Sequence, residues 1–152
     1  MESSIVDKFI SETKTVFSFL LGWGFILPNH LMGVTPTFVK VVFLGKNVAV
    51  VLCLDYRDRV IDLYVGKVID GEIVDSAQGG YFDRFSSYLL ECRGFRGSLS
   101  NRRVSPDHYK KLTFEEKIDS DLKEYADALQ KYGGDILNDS DAAFHSRGTK
   151  RL

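Results

Sequence analysis

The sequence predicts an α+β fold: an antiparallel meander of three to four strands packed with an N-terminal helix and C-terminal helices. Three observations carry that prediction. Valine-rich segments alternate with charged turns between residues 37 and 74, an apolar stripe at helical spacing precedes them, and a longer capped stripe follows.

The first helix is signalled by Ser4 and Asp7 in capping-box spacing. Ile5, Phe9, Val16, Phe17, Leu20 and Leu21 fall near one face, and Gly22 and Gly24 stop the element. Pro28 lies in the irregular stretch that follows, and Pro36 marks entry to the sheet. Residues 37–44 and 47–54 read as a hairpin, with Gly45-Lys46 as a two-residue turn in which glycine takes a positive φ. A turn at residues 55–58 leads to a third strand over 59–67, and Asp70-Gly71 folds a short fourth strand, 72–74, back onto it. The strand over 48–54 is apolar on both parities and is expected to be central, with cover on both faces. The next one alternates: Ile61, Leu63 and Val65 point one way and Asp62 and Tyr64 the other, which leaves one wet or partner-facing surface.

Residues 81–90 resume helical spacing through Phe82, Phe85 and Leu89, and 93–106 form a Gly-, Ser- and Arg-rich loop. The best-marked helix begins at a second capping box, Thr113 with Glu116, and runs through Phe114, Ile118, Leu122, Tyr125 and Leu129. Gly133-Gly134 ends it in positions suited to left-handed backbone. A last short helix is expected over 139–145, with 148–152 frayed.

At 152 residues, 44% of them hydrophobic, the chain has the size of a single domain spanning 1–152 with a core of its own. A net charge of -1 argues against a dedicated polyanion binder. Cys53 and Cys92 match no metal or redox spacing, and Cys53 sits in an apolar strand as a small hydrophobe. With no membrane-length apolar run and no basic N-terminal segment leading into an apolar one, the expectation is an unexported, cytoplasmic protein.

No catalytic constellation is recognisable. His30, His108 and His145 share no ligand-type spacing. Asp55, Asp58 and Asp62 cluster with Arg57 and Arg59 around a turn, where turn chemistry and charge pairing account for them. Gly79-Gly80 belongs to neither the dinucleotide nor the Walker pattern, and no serine sits in a hydrolase elbow. The reading is therefore a non-enzymatic protein with no cofactor and no metal.

Charge patterning says more. Between residues 83 and 111, seven basic residues face three acids, a balance of +4; between 115 and 141, nine acids face three lysines, a balance of -6. Asp119-Lys123 and Asp127-Lys131 have the favourable i, i+4 order of a solvated helix face. Asp135, Asp139 and Asp141 lie beyond the last lysine and extend the acidic surface toward a basic partner.

Taken with the helix, the meander and the run Tyr-Ala-Asp-Ala-Leu-Gln-Lys-Tyr-Gly-Gly-Asp-Ile-Leu at 125–137, the chain resembles small bacterial immunity proteins, including those that neutralise contact-dependent growth inhibition toxins. That resemblance implies a cytoplasmic protein that binds and blocks a cognate toxin domain. If the toxin is a nuclease, acids would mimic phosphate at its basic cleft, and the interface residues expected are Glu124, Asp127, Asp135, Asp139 and Asp141. Two alternatives stand beside it. One is an enzyme or small-ligand binder with a pocket between sheet and helices and Tyr56, Arg57, Arg59, Asp62 and Tyr64 near its mouth. The other is a nucleic-acid accessory protein using the basic loop 93–111, with Arg96, Arg102 and Arg103 on phosphate and Phe95 stacked on a base.

Overall fold

In the computed structural model, residues 3–95 and 105–145 are described. Six strands form one antiparallel sheet: β1 (Gly33–Val34), β2 (Phe38–Leu44), β3 (Val48–Asp55), β4 (Val60–Ile69), β5 (Glu72–Val74) and β6 (Phe82–Arg84). The order is β1-β2-β3-β4-β5, with β6 also on the outer edge of β4. The predicted four-stranded meander is β2 to β5; β1 and β6 are short additions that the valine pattern does not mark. Helices α1 (Ser3–Val16), α2 (Phe19–Gly22), α3 (Phe85–Arg93), α4 (Pro106–Lys110), α5 (Phe114–Tyr132) and α6 (Gly134–Leu137) complete the fold.

Period-two alternation sends Val39, Val41, Phe43, Val48, Val50, Leu52, Leu54, Ile61, Leu63 and Val65 to one face of the sheet. There they meet Ile5 and Phe9 of α1, Phe85 and Leu89 of α3, and Ile118, Leu122 and Leu129 of α5. Thr113 and Glu116 close the expected capping box, and the Thr113 backbone N–H, with the Thr113 hydroxyl adding to it, holds the Glu116 carboxyl below the usual carboxylate range. Central β3 is buried on both faces: Val51 and Cys53, with Val42, form a second, smaller cluster under Leu31, Tyr64 and Ile73.

Several local expectations are corrected. The first helix breaks after Val16, because Ser18 N–H bonds Thr15 O and Leu20 N–H bonds Phe17 O in tighter i−3 turns. Phe82 belongs to a strand, where it stacks on Tyr64 at 5.1 Å on the face away from the helices. Asp70 (φ 52°) and Gly71 (φ 81°) make the expected turn, but Gly45 is not at positive φ. Glycine is needed there for space: a Cβ would lie 2.7 Å from Asp139 Oδ1 and 2.8 Å from Val48 O. Gly133 likewise is not left-handed, with φ −100°, and a Cβ would meet Leu129 O at 2.6 Å. The last helix among the described residues is α6, earlier than expected, and the left-handed residue that follows it is Asp139 (φ 52°). The expected fraying of 148–152 lies outside the described residues. No helix among the described residues is long and apolar enough to cross a membrane.

Candidate functional site

Two of the acidic residues beyond α5, Asp135 and Asp139, serve the fold. Asp139 turns its carboxylate into the β2–β3 connection, accepting the N–H groups of Lys46 (2.6 Å), Asn47 (2.8 Å) and Val48 (2.9 Å), while its own carbonyl accepts Asn47 Nδ2 (2.8 Å). Two carboxylate oxygens on three convergent amides make a strong, directional contact. Asp135 pairs with Arg93 Nη2 at 2.6 Å. The Arg93 guanidinium, 13% exposed, also donates to the carbonyls of Cys92, Ala142, Ala143 and His145. With Tyr88 OH on Ala143 O (2.8 Å) and Phe144 stacked on Tyr81, these bonds tie residues 134–145 down as a strap from the β2–β3 turn to α3. Asp141 stays exposed beside Lys46, Lys67 and Asp70.

Glu124 lies elsewhere. β6 covers the outer edge of β4 only from Tyr64, so the edge at Ile61 to Leu63 is open to α5. A cleft of about 300 Å³ forms there, with Ile61, Leu63 and Ala128 as its apolar wall and Asp62, Arg84, Tyr109, Asp121, Glu124 and Tyr125 as its polar one. Tyr125 OH donates to Ile61 O at 3.0 Å, capping a carbonyl the sheet leaves on that edge. Burial pushes this phenol well above its ordinary range, and the Asp62 and Asp121 carboxylates add to the shift. It is a fixed hydrogen-bond donor at neutral pH rather than a proton acceptor. Tyr109 OH reaches both Asp121 oxygens at 2.9 Å, and Arg84 Nε stands 3.7 Å from Asp62. Three carboxylates against one guanidinium leave the cleft at -2. Asp127 follows on α5, part-buried and one turn beyond Glu124.

Of the residues expected at a pocket mouth, Asp62 alone lines this cleft. Arg59 lies over the rings of Phe114 (4.9 Å) and Tyr56 (6.0 Å), Arg57 is exposed on the turn, and Tyr64 faces the opposite side of the sheet. Asp121 and Tyr109 escaped sequence reasoning. Asp121 sits three residues before Glu124, and that spacing was its only signal; Tyr109 comes from α4, which Ser105 caps and Pro106 opens inside the stretch read as loop.

His30, His108 and His145 are all exposed. No group of three His, Cys, Asp or Glu side chains among the described residues could hold a metal ion. From the basic loop, Arg93 is consumed by the strap and Phe95 packs against Tyr132 at 4.7 Å; Arg96, Arg102 and Arg103 lie outside the described residues. Cys53 is buried, and its thiol is pushed up to about 12 by desolvation, so it is no nucleophile at neutral pH.

The helix-free face of the sheet carries a second concavity of about 400 Å³, with Val42, Val51 and Cys53 at its floor and Phe38, Tyr64 and Phe82 on its walls. Phe38 and Phe82 are each 37% exposed. Comparison with protein-family models, curated proteins and solved structures finds no match to this chain.

Proposed function

We propose that this chain is a non-enzymatic protein-binding module, an immunity protein that neutralises a cognate bacterial toxin domain, and that the acidic cleft between β4 and α5 receives a basic side chain of that toxin. The single observation that supports the reading most is the pairing of net negative charge with an apolar wall in one cleft. Asp121 and Glu124 suit a guanidinium or ammonium head, Ile61, Leu63 and Ala128 suit its aliphatic stem, and the Tyr109 and Tyr125 rings flank it. Asp127 continues the acidic face along α5. A toxin of the nuclease type presents such basic side chains at its phosphate-binding cleft, and an acid-lined partner occludes it while steering the encounter. The interface is then centred on Asp121, Glu124 and Asp127, which line the cleft or follow it along α5; Asp135 and Asp139 drop out because they lie in the strap, away from it.

The test is co-expression with the toxin domain encoded beside this chain. Growth should be rescued and a stable complex recovered, and E124K should abolish both. Failure of the wild-type chain to rescue or to bind rejects the reading.

A second reading draws on the same cleft. Its convergent polar groups and a volume at the lower limit of ligand sites also suit a small cationic metabolite. Thermal stabilisation of the isolated chain by arginine, agmatine or spermidine, lost in E124K, would favour it.

A further inference from the structure

We propose that the helix-free face of the sheet is a symmetric interface between two copies of this chain. This goes beyond the toxin-binding reading and does not depend on it.

The register sets out the face in rows. Lys40 on β2 pairs with Cys53 on β3, which pairs with Asp62 on β4; the next row is Val42, Val51, Tyr64 and Arg84; on the other side lie Phe38, Asp55 and Val60. The outer residues thus flank β3 with a cation on one side and, at the same height on the other, an anion that the exposed Arg84 approaches at 3.7 Å. A two-fold axis lying between two such faces and running along β3 exchanges the β2 and β4 sides. It carries Lys40 of each copy over Asp62 of the second copy and Phe38 over Val60, and lays Tyr64 over the row of Val42, which is itself buried under Leu31 and Ile73 of its own chain. Two reciprocal ion pairs form, and apolar groups meet apolar groups.

Shape agrees with charge. The Tyr64 and Phe82 rings, stacked with an interplanar angle of 2°, stand as a ridge beside the concavity floored by Val42 and Val51. The same axis lays each ridge over the other copy's hollow, in the aligned packing that twisted sheets adopt about 10 Å apart. Asp55, on the axis, meets its own copy, but it stands at the strand end and accepts Asp58 N–H at 3.1 Å within its own turn. Five strand positions and three to four rows span roughly 20 Å by 20 Å. At about 400 Å² a side that is the size of a weak, transient contact, and the dimer is expected to dissociate at roughly 100 μM.

Sedimentation velocity on the full chain from about 1 to 200 μM tests this. The wild type should pass from monomer to dimer. K40D and D62K, each placing like charges together twice, should weaken self-association at least about tenfold. An equimolar mixture of K40D and D62K should regain the dimer, because each variant then faces its opposite, and the double variant K40D/D62K should dimerise by itself. Circular dichroism confirms that each variant is folded, and the mixture needs no comparison with the wild type to be decisive. A wild type that stays monomeric at 200 μM, a dimer indifferent to both single variants, or a mixture that fails to reassociate would overturn the proposal.

Discussion

Glu124 and Asp139 belong to one acidic stretch of the sequence, yet their surroundings are opposite in kind. Asp139 sits at the hub of a strap, its oxygens consumed by three backbone N–H groups on a turn more than ninety residues away in sequence. Glu124 lines a cleft in which carboxylates outnumber the one guanidinium. The first acid is spent on the strap, and the second, half-buried, stands in the wall of the cleft. Acidic residues in a row are therefore no measure of an acidic interface: what separates the two is where the fold places each carboxylate, one on a turn of backbone N–H donors and the other in a cleft wall.

Substitution separates the regions further. The largest loss is expected from R93A, which strips donors from four carbonyls and leaves Asp135 unpaired: about 4 kcal/mol, read by urea unfolding. D139A should cost about 3 kcal/mol, roughly 10 °C in Tm for a chain of this length, with D139N recovering part because one amide oxygen still accepts. If both variants leave Tm within about 1 °C, the strap is not what holds residues 134–145. G45A should fall close behind, at about 2 kcal/mol by the same assay, since its Cβ would collide with the Asp139 carboxylate and the Val48 carbonyl.

A pH titration sharpens the contrast through the buried thiol. The folded Cys53 pKa of about 12 lies above its ordinary 9.0, so its contribution is whole below pH 9 and is lost as pH climbs toward 12. Tyr81 and Tyr125, raised chiefly by burial, act in the same sense above pH 10. Stability should therefore fall steeply on the alkaline side, and C53V should start that fall about one pH unit later in thermal melts taken from pH 8 to 11. Smallest of all is Y125F, which removes one bond to the Ile61 carbonyl and should cost about 1 kcal/mol in the same unfolding assay.

Elements whose signals are local were readable in the sequence. Thr113 and Glu116 cap α5 with contacts three residues apart, Asp70-Gly71 turns the β4–β5 hairpin, and the uninterrupted apolar run of β3 announces a strand covered on both faces. Whatever depends on distant partners was not. The strap is invisible because Asp139, Gly45 and Arg93 acquire their roles only once residues 45–48, 93 and 134–145 are side by side, and a left-handed aspartate carries no mark that separates it from a surface acid. The site was half legible: Glu124 was named from charge alone, while Asp121, Tyr109 and the open edge of β4 needed the sheet order. Phe82 misled by falling at helical spacing from Phe85 while belonging to a strand on the other face.

The most direct measurement of the central claim is calorimetric titration of the toxin domain proposed as partner with the wild-type chain, E124K and D139A, with Tm recorded for each. The account predicts tight binding by the wild type, a loss of at least about a hundredfold in E124K, and near-native affinity for D139A, each measured below the Tm of the variant. Undiminished binding by E124K, or no binding by the wild type, would contradict it.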